Sequence, residues 1–579
     1  MYFRARKRIT LDTSVRVRLL YPVVTLIIGI FIVGCGRSVQ TTVDETLPRF
    51  SAERAFDTTR EYITQFPKRY FGSIESRRST VFLTNKLTAM GYDIEYIHFG
   101  GRIGGKQQVG RNVLAYKHGE TDEIVAITAH YDTVNTTVQG AVKNGAAVGV
   151  LMELAWLFSE ENTHRSLLFV FTDGGEWGAT GANDLMFYYE KKDRIAVALT
   201  LDYVAPGDLA GFRLGTIGQL NGMTPSELKN LVGSVVRGQT PPVPVRSERL
   251  GLLERAFMIS VSEQGPFLKM GVPAINLGSF STDEASERSI LRTHGGRIEN
   301  LKTETIGVYG RVAEQIVRSL AKSSEIPRFS DSDSTALRTI KRLCTLVGFL
   351  IFLIITFFHT RDFRKGLAVA QMCREVAAFF ATWLPFLVLF SGIKLAAAAR
   401  LFPLYDLYPA VAHDPLMQNP PWRVLISIAV GVVFASAAAW ITARYFLREW
   451  TKPDYNNSCV ALWCVLSVTL LLAVCYNPAW ALVFFSAPAV LWQIRQGGEC
   501  VKSDPGRRFS DAALIAAAAI PTCLALWWLA AKLGFGWNFF WYQTLALTTG
   551  LFSPFAYFMA TAVVAAGIRF IVVIFFHRR

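Results

Sequence analysis

The stretch FVFTDGGEWGATGA, residues 169–182, sets the reading of the polar part of this chain. Phe169, Val170 and Phe171 close an apolar run over 166–172, the pattern of a strand buried on both faces. The run breaks at Asp173 into two glycines and an acidic residue, and a helical pattern follows over 178–191. Turns at the carboxyl ends of such strands are where α/β sheets collect ligands. In hydrolases that work through a metal, a turn of this kind commonly presents two adjacent carboxylates, one to move a proton and one to hold the ion. Here Gly175 stands in the first place and Glu176 in the second.

The same alternation extends on both sides. Apolar runs at 123–129, 196–201 and 272–277 predict further buried strands, and helical patterns fall at 75–91, 144–160 and 300–321. An α/β domain with a largely parallel central sheet is expected. Its strand ends carry AHYDTV, TDGGEW and LDYV, which brings His130, Asp132, Glu176 and Asp202 to one edge. His98, His118 and His164 lie beside turns without metal-ligand spacing. The glycines of FGGRIGGKQ, 99–107, read as a hairpin tip, because no helix follows to complete a phosphate site.

Charged residues make up only 18% of the 579 positions and apolar ones 51%, a balance that points to membrane. An apolar run at 19–35 predicts one span, and about seven more are expected near 343–358, 376–393, 424–443, 459–476, 479–494, 512–531 and 545–568. The division is a basic tail at 1–18, an anchor at 19–35, a polar domain at 36–328, a linker at 329–342 and a bundle at 343–579. Basic residues cluster in the tail and in every second loop, among them Arg361, Lys365, Arg444, Lys452, Arg507 and Arg508, which puts those segments in the cytoplasm. The polar domain is therefore expected in the periplasm, a lumen or the exterior. The net charge of +15 is largely this topological signal, facing lipid headgroups, so nucleic acid is not an expected partner. Lys394, Lys532 and Arg569 fall at predicted span ends, where they snorkel, so no transport path is expected. All eight cysteines lie in or beside predicted spans, and the polar domain must fold without disulfides.

The ordered segments PKRYFGSIESRRSTVFLTNKLTAMGYDIEY, RNVLAYKHGE, AHYDTV, GAVKNGAAVGVLMELA, FVFTDGGEWGATGA, TLDYV, GPFLKMGVPAINLG and RTHGGRIENL resemble the two-zinc aminopeptidases of clan MH. That group contains glutaminyl cyclase, glutamate carboxypeptidase and the endoplasmic reticulum metallopeptidase. The resemblance covers nearly all of the polar domain and implies a three-layer fold with a mostly parallel sheet, joined here to an all-α transmembrane bundle.

Carried over residue by residue, the resemblance places the first zinc's ligands at His130, Lys143 and Asp202. The second zinc's fall at Lys143, which holds the place of the bridging aspartate, Glu176 and Arg292. A two-residue shift in the last loop would offer His294 instead of Arg292. The general base falls on Gly175, and Asp132 keeps the role of orienting His130. A lysine cannot ligate while protonated, glycine cannot take a proton from water, and a catalytic zinc needs three protein ligands with an open position.

No cofactor and no catalytic residue is therefore expected. The chain reads as a membrane-anchored pseudopeptidase that binds a peptide, a protein or a partner subunit. The alternative is a working hydrolase with one zinc on His130, Glu176 and Asp202. Two readings of Lys143 stand: a counter-ion replacing the metals among Asp132, Glu176 and Asp202, or a solvated side chain in a drifted loop.

Overall fold

The computed structural model describes residues 48–322, apart from 104–105, 135, 219–222, 248–259, 261, 284–289 and 291–294, and it describes helical stretches at 369–399, 422–442, 455–476, 522–531, 536–543 and 554–576. The predicted spans at 19–35, 343–358 and 479–494 lie outside the described residues.

The polar domain begins with two helices, α1 (Ala52–Gln65) and α2 (Ile74–Ala89). Each starts at a serine whose hydroxyl accepts from a backbone N–H three residues on: Ser51 from Arg54 at 3.2 Å and Ser73 from Ser76 at 3.0 Å. A hairpin of β1 (Asp93–Ile103) and β2 (Lys106–Lys117) follows, with its tip where the glycine-rich 99–107 stretch predicts one. Next come β3 (Thr121–His130), α3 (Ala146–Phe158), β4 (Arg165–Thr172), α4 (Thr180–Tyr188) and β5 (Ile195–Leu201). The domain closes with β6 (Leu209–Gly215), α5 (Ser226–Arg237), β7 (Val245–Ser247), α6 (Gln264–Lys269), β8 (Ala274–Ser281) and α7 (Thr303–Lys322).

Among the described residues these eight strands form one sheet in the order β1-β2-β4-β3-β5-β8-β6-β7. The four central strands, β4, β3, β5 and β8, run parallel, and they are the four whose apolar runs stand out in the sequence. Antiparallel pairing of β2 with β4 and of β6 with β8 makes the sheet mixed.

The side chains of β3 alternate between two buried faces, as a three-layer fold requires. Val125, Ile127 and Ala129 join the core under α1, α3, α5 and α7, whereas Ile124 and Ala126 join the core under α4 and α6. Covering both faces explains why the central strands read as continuous apolar runs rather than alternating ones.

Among the described residues, three helical stretches are long and apolar enough to cross a membrane: Ala141–Phe158, Val369–Leu395 and Pro554–Val573. The first, made of α3 and the turn before it, is buried inside the polar domain and packs in its core. The other two belong to α8 (Val369–Ala398) and to the C-terminal helix α11 (Pro554–Phe576); between them lie α9 (Trp422–Ile441) and α10 (Tyr455–Tyr476). Phe379 of α8, Leu462 of α10 and Ala562, Ala565, Ala566 and Val573 of α11 form one packed cluster.

Here the span-end reading of Arg569 is corrected. The apolar run breaks at Arg569, but the helix continues to Phe576, and the guanidinium turns inward to Glu375 of α8 at 3.0 Å, both side chains buried. Beside this pair Asn457 of α10 donates to Gln371 of α8 at 2.5 Å.

Candidate functional site

His130, the last residue of β3, and Asp202, the first after β5, lie on adjacent parallel strands, so their side chains meet at the carboxyl edge of the sheet. His130 Nδ1 is 3.0 Å from Asp132 Oδ1, and its Nε2 is 3.7 Å from Asp202 Oδ1. Lys143 enters from the turn Ala141–Gly145, where its own backbone is non-helical, and its Nζ donates to Asp202 Oδ1 at 2.6 Å. Only 14% of each side chain of this pair is exposed, so solvent screens it little.

Asp132 does two things at once. Fully buried, it accepts from the Gly175 N–H at 2.7 Å and from the Glu176 N–H at 3.1 Å, while its contact with Nδ1 holds the His130 ring. The 173–176 turn and the end of β3 are thus fastened through one carboxylate. Gly174 takes φ +70°, a left-handed conformation that suits glycine, and this turns the chain back over the ring. Gly175 is then so close that a Cβ there would lie 2.2 Å from His130 Cγ. The imidazole occupies the space in which any side chain at 175 would have to begin.

Charge follows from this packing. Burial alone would push the His130 imidazolium toward neutrality, but its hydrogen bond to Asp132 and the Asp202 carboxylate 3.7 Å away outweigh that and raise it to about 10. Burial would likewise raise Asp202, yet the Lys143 charge and the nearby His130 ring hold it below the usual carboxylate range. Asp173, buried beside Asp132, is pushed up to about 8 by its burial and then by its neighbour's charge.

A residue the sequence reasoning passed over is Glu263. Its carboxylate is buried behind the site, accepting from Thr128 of β3 at 2.7 Å and from Thr172 of β4, and burial raises it. A lone glutamate in SEQGPF carries no signal by itself; only the sheet brings two threonines from neighbouring strands to it. Arg69 was also unmarked. Fully buried, it donates to the Tyr131 carbonyl at 2.9 Å and to the Gln139 carbonyl at 3.0 Å, which ties the loops on either side of the site.

The structure therefore gathers His130, Asp132, Lys143, Gly175 and Asp202, with Glu176 joined through its backbone and its side chain buried. Arg292 and His294 lie outside the described residues.

Residues 112–317 match the family described as Peptidase family M28, and this part of the chain is a zinc-aminopeptidase-like domain. The chain is 29% identical over 181 residues to the alkaline phosphatase isozyme conversion protein of Escherichia coli (strain K12), a match over 27% of this chain and 52% of that protein. The chain thus spans about half the length of this curated relative. Among solved structures, Porphyromonas gingivalis glutaminyl cyclase aligns at 16% identity and TM-score 0.40, over 47% of this chain and 100% of its own. A zinc aminopeptidase from Bacillus subtilis aligns at 14% identity and TM-score 0.41, over 50% and 98%.

Proposed function

We propose that the chain is a membrane-anchored pseudopeptidase: a peptidase-family M28 domain, held outside the cytoplasm by flanking spans, that binds a peptide, a protein or a partner subunit without hydrolysing it. The observation that carries this reading is the Lys143 ammonium on Asp202 Oδ1 at 2.6 Å. In the resemblance to two-zinc enzymes, position 143 supplies the carboxylate that bridges the metals and Asp202 is a ligand.

The residues present do not fit that pair of ions. A lysine amine stands where the bridge belongs and holds the ligand oxygen beside it. Among the described residues no three His, Cys, Asp or Glu side chains gather as a metal-holding group. Gly175 brings no carboxylate to move a proton, and the His130 ring fills the space beside its Cα. With Asp132 and Asp202 balanced by His130 and Lys143, the loops keep the family's arrangement by ion pairing within the protein. The two apolar helices Val369–Leu395 and Pro554–Val573 support a membrane-spanning C-terminal part, and the alternation of basic loops supports cytoplasmic placement of residues 1–18.

The test is direct. The full chain, purified without chelator, should contain well under one zinc per chain and should not turn over aminoacyl chromogenic substrates. Chelator-sensitive turnover would overturn the reading.

A further inference from the structure

The polar domain has two opposite ends. The candidate site occupies the carboxyl ends of the parallel strands, where His130 and Asp202 lie. The amino ends, at Thr121, Arg165, Ile195 and Ala274, form a base at the far end. Both chain connections leave from that base. Helix α7 starts beside the site, where Thr305 donates to the Gly207 carbonyl at 2.6 Å, and runs down to the base, where Arg165 donates to the Leu320 carbonyl at 3.2 Å. The incoming chain is there as well: Arg49 and Arg318 both pair with Glu161, in the loop just before β4.

The base also exposes large apolar side chains. Helices that follow parallel strands run back from the site end, so α3, α4 and α6 all finish at the base. At or just beyond those ends Trp156 is 46% exposed, Phe187 53%, Tyr188 68% and Met270 45%. A lysine accompanies them, Lys269, 5.9 Å from the Phe187 ring. Exposed aromatic and apolar side chains with a lysine beside them are what a membrane–water interface selects.

We infer that the base of the domain, through Phe187, Tyr188, Met270 and Trp156, is seated on the headgroup layer of the bilayer that the flanking segments enter, and that the candidate site opens away from the membrane. This rests on the membrane-anchored reading above. The occupant is identified by where the chain goes. The 12 residues 36–47 separate the described domain from the apolar run at 19–35, and fully extended they span at most about 43 Å. The base is thus held within reach of the bilayer, whereas the site lies a full domain length beyond it. A ligand of the site is consequently a soluble peptide or the outer part of another protein, approaching from the aqueous side.

The experiment uses the full chain in nanodiscs doped with a photoactivatable phospholipid, with labelled peptides identified by mass spectrometry. Label is expected in the peptide over 554–576 and in those covering 183–194 and 266–272, and not in 202–208 beside the site. Replacing Phe187→Ser and Tyr188→Ser together should cut labelling of 183–194 by about tenfold, since two exposed aromatics supply most of the apolar contact, and leave 554–576 unchanged. A labelled 554–576 with an unlabelled base overturns the seat alone, as does label concentrated at 202–208. An unlabelled 554–576 overturns the membrane reading and the seat with it.

Discussion

Lys143 Nζ and Asp202 Oδ1 lie 2.6 Å apart, so the turn leading into α3 is bonded to the carboxyl end of β5 by a largely buried ion pair. Removing the cation leaves Asp202, among the described residues, with His130 at 3.7 Å as a charged partner. Breaking one side of a buried pair costs about 3 to 5 kcal/mol, and the residual His130 contact places Lys143→Met near the lower figure, about 3 kcal/mol. Adding Asp202→Asn should return part of the loss, because the two positions are coupled. Hydrogen exchange of the central strands in the full chain measures both. A neutral Lys143→Met, within about 0.5 kcal/mol, would mean that the pair does not hold these loops.

Restoring a side chain at the place of the missing base is expected to fail for a steric reason. A Cβ on Gly175 meets His130 Cγ at 2.2 Å, and the ring is held by Asp132 and cannot simply swing aside. Gly175→Ala should lower stability by about 1 to 3 kcal/mol, the usual range for overpacking, and Gly175→Glu should do no better and gain no hydrolysis. A Gly175→Ala protein with an unchanged melting temperature would show that the ring gives way.

The response to pH follows from two groups that hold protons in the folded state. His130 is raised to about 10 from an ordinary 6.5, so its contribution is full below 6.5 and is lost as pH rises through 10. Asp173 is raised to about 8 from 3.8, so its contribution is full below 3.8 and is lost as pH rises through 8. Both slopes have the same sign. Thermal unfolding of the full chain should show stability falling steadily from pH 7 to 10, and His130→Gln should flatten that fall. A flat wild-type profile over this window would mean that His130 is not held as a cation.

How much of this was legible in the sequence depends on what each signal rests on. The strands β3, β4, β5 and β8 show as apolar runs because both of their faces are covered. Strand β6 does not, since glycines and Arg213 interrupt it, and β7 is only three residues long. His130, Asp132, Glu176 and Asp202 could be picked out because they sit at or just after the ends of the legible strands, whereas Lys143, in the turn before α3, was placed by the resemblance alone. Which carboxylate Lys143 would choose was not legible: Asp132, Glu176 and Asp202 were equal in sequence, and the fold selects Asp202 because Asp132 is already engaged by His130 and by two backbone N–H groups. Glu263 was invisible because its partners lie 135 and 91 residues away along the chain.

The last prediction concerns Arg569, whose inward turn hydropathy could not reveal because an apolar run ends at any charge. The side chains of Glu375 and Arg569 are 7% and 2% exposed, joined at 3.0 Å, on two helices long and apolar enough to span a bilayer. A lone charge at such depth is costly, and its partner is what offsets the cost. Arg569→Leu should therefore destabilise the bundle by about 3 to 5 kcal/mol, because it strands the Glu375 carboxylate among Phe379 and its neighbours. Glu375→Gln should be milder, since the amide still accepts from the guanidinium. Pairing Arg569→Leu with Glu375→Leu should recover most of the loss, because two apolar side chains leave nothing unpaired in the packed cluster of α8, α10 and α11. Thermal melts of the full chain in detergent order the three variants. If the double replacement is as damaging as Arg569→Leu alone, the pair contributes more than mutual neutralisation, and the neighbouring Asn457–Gln371 bond becomes the next contact to remove.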